Sequence, residues 1–286
     1  MTGPKPFSAL LVFLSINIVS VLFVAFPWVF YIKESNPIPF LLALFLVGSA
    51  DISLILWVFT DPGVVPMHKD PDFHAMKPNF VLTNGSLVKL KYWYTCHIMR
   101  PPRAVHCSQC DWWILRMDHH WPWLGCCIGK RNYLYFFSFI TSLALYSIVG
   151  TVVWITYWID LVNKKKNDLG LGSGKAFGEA MKESPLVIPM ILLGFFIGIF
   201  LVLLFIYHIK ILIQGRTTHE DIKESKIHKV HPYDYFSMFK NIYAGLFTGF
   251  HKPLFIPREI YVETDTAADM HLKQGMICKI YFEELI

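Results

Sequence analysis

The chain has 286 residues, of which 54% are hydrophobic, 16% aromatic and only 16% charged; that excludes intrinsic disorder and is too apolar for a soluble domain. A net charge of +5 and a mean hydropathy of +0.43 suit a protein that faces lipid and keeps its basic residues at a cytosolic surface, and they argue against a nucleic-acid partner. Six cysteines are too few for a disulfide scaffold, and five of them fall between Cys96 and Cys127, leaving Cys278 alone, so the cluster points to metal or catalysis.

A helix needs about 20 apolar residues to cross the hydrocarbon core. Four stretches reach that length: Ser8 to Tyr31, Pro39 to Phe59, Tyr133 to Ile159 and Leu186 to Ile209. The first is too long for a signal-peptide core and ends in an aromatic run, Phe26, Trp28, Phe30 and Tyr31, that reads as an interfacial belt. Pro189 falls in the opening turns of the fourth, where proline is tolerated. Asp51, inside the second, is functional by default because an unpaired carboxylate in lipid is costly.

The expected architecture is an α-helical polytopic membrane protein with four transmembrane helices and a cytosolic zinc-binding cysteine-rich loop between the second and third. Its parts are residues 1–62 with the first two helices, 63–132 with the loop, 133–209 with the last two helices, and a tail over 210–286. Loop and tail carry nine and ten Lys and Arg, against one in the first short connection and five in the third. That bias puts zinc loop, tail and both termini in the cytosol of a multi-pass endomembrane or plasma-membrane protein; Lys164, Lys165 and Lys166 in the third connection run against it.

From Lys91 the loop reads KYWYTCHIMRPPRAVHCSQCDWWILRMDHHWPWLGCCIGKRNY. Cys107 and Cys110 form a C-x-x-C pair that lets two thiolates from one turn meet a single Zn²⁺ at about 2.3 Å each. His120 and Cys127 follow at spacings that allow the chain to fold back and close a tetrahedron. A redox dithiol is the alternative, and it lacks its βαβ setting. The loop has few aliphatic residues, so the roughly 10–16 kcal/mol available from structural zinc is its expected source of order. His106 can share a second site with Cys96, although two ligands do not make a structural site. Arg100, Pro101, Pro102 and Arg103 read by themselves as a basic turn.

Asp118-His119-His120 followed by Pro122-Trp123 and Cys127-Ile128-Gly129 resembles the cysteine-rich domain of the DHHC protein S-palmitoyltransferases. Thr60-Asp61-Pro62-Gly63 is similar to that family's DPG motif, and Thr217-Thr218-His219-Glu220 to its TTxE motif, in the same order and spacing. His231-Pro232-Tyr233-Asp234 is similar to the family's NPxDxG element, with His231 in place of Asn and Phe236 where Gly is expected. The resemblance covers residues from about 8 to 235.

It implies transfer of palmitoyl from palmitoyl-CoA to an enzyme cysteine and then to the cytosolic cysteine of a protein substrate. It implies one zinc on Cys107, Cys110, His120 and Cys127, and a second with ligands at positions 93, 96, 106 and 113. Cys96 and His106 are present, but Trp93 and Trp113 replace family cysteines. The nucleophile position holds Trp121, although Asp118 and His119, the implied base pair, remain. An indole N–H is a donor only and accepts no acyl group. Cys126, beside Cys127, is the one other thiol nearby, and it is expected to point elsewhere.

Cysteine and tryptophan codons differ at the third base, with UGA between them, so three UGA codons read as cysteine in the cell account for all three replacements at once. Otherwise the chain is a DHHC pseudoenzyme that binds acyl-CoA, a substrate or an active partner without turnover. Transport needs broken or polar helices at the bilayer midplane, and the sequence gives little sign of them. Arg100, Arg103, Lys130 and Arg131 are candidates for the phosphates of coenzyme A or for anionic lipid head groups, and Trp123 is expected beside the thioester. Thr217, Thr218 and Glu220 are expected either to bond the zinc loop or to cap a helix.

Overall fold

The computed structural model describes residues 6–33, 37–65, 80–83, 86–90, 92–93, 98–224, 232–249 and 260–262. Contacts divide the chain into a helical unit, Lys5–Val58 with Tyr135–His208, and a second unit, Phe59–Leu134 with Ile209–Ile286.

The helical unit takes in α1 (Pro6–Lys33), α2 (Ile38–Phe59), α3 (Tyr133–Asp168), α4 (Ser173–Glu183) and α5 (Val187–Ile213), with the ends of α2, α3 and α5 running into the other unit. Three of these, α2, α3 and α5, are long and apolar enough to cross a membrane. The 22 residues of α2 rise about 33 Å, matching a hydrocarbon core of about 30 Å. α1 is 28 residues long and contains Pro27. Proline has no N–H to give the carbonyl four residues back, and that carbonyl, on Phe23, instead accepts the indole N–H of Trp154 at 2.9 Å. Glycines on two helices make room for the Phe23 ring: a Cβ on Gly150 of α3 would fall inside it, and one on Gly194 of α5 would press on it and on Thr151. Small residues permit this close backbone approach where lipid supplies no hydrophobic drive. Asp51 has a partner in α1, the Asn17 amide at 3.1 Å.

The helix boundaries depart from the sequence reading in two places. α3 continues past Ile159 to Asp168, where Leu161 and Lys164 to Lys166 are good helix formers although hydropathy discards these polar last turns. The third connection also holds a helix of its own, α4, whose Ala176 and Ala180 are buried.

The second unit is built from short antiparallel pairs. β1 (Phe80–Thr83) lies between β2 (Ser86–Lys89) and β9 (Ile260–Val262); β3 (Tyr92–Trp93) pairs with β4 (Ile98–Met99), β5 (Val105–Cys107) with β6 (Trp112–Ile114), and β7 (His119–Trp121) with β8 (Cys126–Ile128). The tail adds α6 (Thr218–Glu224) and α7 (Met238–Phe247). Two hairpins and a small core of Cys107, Ile114, Met117 and Cys127 therefore order a segment in which the sequence suggested no regular structure.

The segment after α2 lies along β6. Val65 N–H bonds the Trp113 carbonyl and Leu115 N–H that of Gly63, both at 2.8 Å. Asp61 closes the turn by accepting the Gly63 and Val64 N–H groups at 2.8 Å each, and its other oxygen meets Arg131 at 2.9 Å. Gly63 sits at φ 103°, a conformation that favours glycine. Gly129 packs so tightly on Pro62 and Ile114 that any Cβ would clash.

Candidate metal centre

The β7–β8 hairpin sorts its side chains by face. His120 pairs with Cys127, while His119 pairs with Ile128 and Trp121 with Cys126. Opposed residues in an antiparallel pair project to the same side, and successive residues alternate. One face therefore carries His120 and Cys127, and the other His119, Trp121, Cys126 and Ile128.

On the first face the turn after β5 brings in Cys107 and Cys110, and the four ligand atoms lie within 4.8 Å of one another. His120 Nδ1 is 3.5, 3.4 and 3.6 Å from the sulfurs of Cys107, Cys110 and Cys127, and the Cys110 and Cys127 sulfurs are 3.5 Å apart. A tetrahedral ion with bonds of about 2.3 Å to sulfur and 2.0–2.1 Å to nitrogen has edges of roughly 3.5–3.8 Å. The donor set fits such an ion. Burial, with Cys107 adding to it, holds the Cys110 and Cys127 thiols above the usual thiol range, and a cation among them would reverse that preference.

Just ahead of β7, Asp118, 1% exposed, reaches His119 of the second face, its Oδ2 lying 2.7 Å from His119 Nδ1. Its Oδ1 accepts the Thr218 N–H at 2.7 Å. The tail thus closes the loop's acidic residue into a bond spanning a hundred positions. Thr217 and Glu220 cap α6 reciprocally: Thr217 N–H donates to the Glu220 carboxylate at 2.9 Å, and Glu220 N–H to Thr217 Oγ1 at 3.3 Å, the pattern of a capping box. The two sequence alternatives for the T-T-x-E segment, loop bonding and helix capping, are both realised.

Trp121 stands with its ring 5.7 Å from that of His119. Cys126 is its cross-strand neighbour and does not point away, as the sequence had suggested, because hairpin register decides the face. Cys126 is nonetheless buried, and burial pushes its thiol up to about 12, so it is a poor nucleophile near neutral pH. Trp123, at the tip of the same hairpin, is 73% exposed.

Of the positions associated with a second metal, Cys96 lies outside the described residues. His106 Nε2 is 3.4 Å from Asp111, and its ring meets Trp113 edge-on at 5.4 Å. Trp113 is buried, with the Arg100 guanidinium 5.6 Å from its ring centre. The described part of that region is a packed aromatic and cationic cluster.

Arg103 is held by a two-pronged bond to Glu220, at 2.8 and 2.5 Å, and by the Gly215 carbonyl at 2.9 Å, with Tyr233 4.7 Å beneath it. Arg131 is paired with Asp61. Arg100 donates to the Ala104 carbonyl and lines a cavity of about 390 Å³ with Arg103, His219, Glu220, Lys223 and Tyr233. Burial, then the Lys223 charge, lowers the His219 imidazole below its ordinary value. His219 and Lys223 escaped the sequence reading because nothing local marks them; only the fold sets them beside Arg100.

Residues 87–225 match the family model described as DHHC palmitoyltransferase. The chain is 34% identical over 280 residues to Palmitoyltransferase ZDHHC14 of Mus musculus, an alignment covering 88% of this chain and 54% of that protein. It is 37% identical over 244 residues to Palmitoyltransferase ZDHHC9 of Homo sapiens, covering 77% and 64%, and 34% identical over 231 residues to human Palmitoyltransferase ZDHHC18, covering 73% and 56%. The chain thus spans about half to two thirds of the length of these curated relatives.

Proposed function

This chain belongs to the DHHC palmitoyltransferase family, and we propose that it is a membrane S-acyltransferase whose acyl acceptor is the residue at position 121. The observation that carries this reading is the Asp118–His119 pair, kept at 2.7 Å and tied to the tail through Thr218, beside a position that needs only a thiol.

With cysteine at 121, His119 takes the thiol proton while Asp118 orients and charges the imidazole. The sulfur bonds to the palmitoyl carbonyl carbon, the carbon–sulfur bond to coenzyme A breaks, and the departing thiolate takes the proton from His119. A substrate cysteine then removes the acyl group by the same exchange. We assign zinc to Cys107, Cys110, His120 and Cys127, where it supplies a structural cross-link that holds the two hairpins. Trp123 is assigned to the thioester end of the acyl chain. Arg100, His219 and Lys223 are assigned to the phosphates of coenzyme A, since Arg103 and Arg131 are already engaged in ion pairs, and Lys130 is assigned to them as a further cation. The α1 helix is assigned as a fourth span, with loop, tail and termini cytosolic.

One observation favours a second reading. Trp121 is an indole and the Cys126 thiol is buried, so the chain as written binds acyl-CoA or a partner without transferring the acyl group.

Two measurements separate them. Transcript codons at 93, 113 and 121 reading UGA, with peptide masses giving cysteine, support the transferase; UGG and tryptophan support the scaffold. Purified Trp121→Cys protein incubated with labelled palmitoyl-CoA is expected to gain a hydroxylamine-sensitive acyl group that the Trp121 protein lacks. Failure of the cysteine variant to take label, with its zinc retained, defeats the transferase assignment.

A further inference from the structure

The inner face of α7 is fully engaged within its own unit. Asn241 donates to the Ile213 carbonyl at 2.7 Å and to Asp234 at 2.8 Å, and it accepts the Tyr235 N–H at 2.9 Å. Gly245 packs on Leu212 with no room for a Cβ, and Arg116 donates to the Ala244 and Gly245 carbonyls at 2.8 Å each. These contacts fix the rotation of the helix, and so they fix what it shows outward.

What it shows is aromatic. Phe239, Tyr243 and Phe247 follow at four-residue intervals along one stripe, all exposed, with Phe239 at 78%. The Tyr243 and Phe247 rings lie 5.5 Å apart. Phe236, just ahead of the helix at φ 52°, is 74% exposed. Lys240 flanks the stripe, exposed, and α7 contains no Asp or Glu.

We propose that this face is a lipid-binding surface, with α7 lying in the headgroup region of the bilayer that the spanning helices cross and Lys240 meeting anionic lipid. Three considerations select lipid over protein. Phe and Tyr on one side of a helix, with a cation at its edge and no carboxylate, is the composition that partitions into a membrane interface. Four partly exposed aromatics offer at most a few hundred Å², below the roughly 800 Å² per partner of a stable protein interface. That small area suffices for a surface already tethered to its partner, because the spanning helices make the encounter intramolecular. The inference rests on the chain being membrane-embedded and is independent of whether position 121 transfers an acyl group.

The test uses the full chain in vesicles of phosphatidylcholine and phosphatidylserine. p-Benzoylphenylalanine replaces Phe239 in one protein, Tyr243 in a second and Asp111, whose side chain is 92% exposed, in a third. After irradiation, mass spectrometry reads the adducts. Both α7 probes are expected to carry phospholipid at roughly five times the yield of the Asp111 probe or more. Because the replaced aromatics point outward, packing is spared, and zinc content checks each preparation. Lipid yield at 239 and 243 no higher than at 111 overturns the proposal, as does cross-linking of both probes to protein instead of lipid.

Discussion

Glu220 shows how much a single side chain carries in the tail. Its carboxylate accepts the Thr217 N–H and both prongs of Arg103, and the Arg103 and Glu220 side chains are only 12% and 13% exposed. Removing one partner of such a pair leaves an uncompensated buried charge, which costs about 3–5 kcal/mol, whereas replacing both with apolar groups is close to neutral. Glu220→Gln is therefore expected to lower the denaturation midpoint strongly, while Arg103→Met with Glu220→Leu recovers most of the loss apart from the helix cap, worth about 1 kcal/mol. A double variant as unstable as the single one would contradict this account. The sequence could not have shown the pair. Arg103 read as a solvated basic turn because its partner lies 117 residues on, whereas Cys107, Cys110, His120 and Cys127 were legible because local spacing alone brings C-x-x-C and a returning hairpin together.

The hairpins themselves were hidden for a different reason. β5, β6, β7 and β8 are three residues each, too short for alternation to register above noise, and their order comes from the ligands they position. Cys107 and Cys127 share a small core cluster with Ile114 and Met117, packed against Val64, Val105 and Trp112, so a metal on the four ligands would supply much of what holds β5–β6 against β7–β8. A strong chelator, or Cys110→Ser, is expected to expose the segment from Val105 to Ile128 to proteolysis while α2, α3 and α5 keep their helical signal in lipid. The metal count carries further information. With tryptophan at 93 and 113, zinc is expected at one atom per chain by plasma emission; with cysteine there, two. Two zincs on a chain whose peptides contain tryptophan at 93 and 113 would break the assignment of ligands. The long apolar helices were the easiest elements to read, and only their polar extensions were lost: the Lys164–Asp168 end of α3 carries no hydropathy, and α4 buries little more than two alanines.

Bonds inside the second unit carry an expectation for bilayer topology. Asp118 and Thr218, and Arg103 and Glu220, touch directly, so the segments on either side of α3 and α5 are expected on one face of the membrane, with an even number of crossings between them. α3 and α5 are long and apolar enough to cross, and if each crosses once the connection around Gly170 is expected on the opposite face despite Lys164, Lys165 and Lys166. Charge counting predicts the same side for loop and tail, and the hydrogen bonds between them agree with that expectation. Whether the amino end shares that face depends on α1. Its 28 residues rise about 42 Å, enough for a tilted span. The chain carries its own reporter in Asn84-Gly85-Ser86, a glycan acceptor sequence. In microsomes this site is expected to remain unmodified, while a flexible Asn-Gly-Ser insert after Gly170 takes a glycan and one fused ahead of Pro6 does not. A glycan on the amino-terminal insert reduces α1 to a surface helix and leaves three spans; a glycan on Asn84 reverses the whole orientation, taking the proposed acyl-transfer site away from cytosolic coenzyme A.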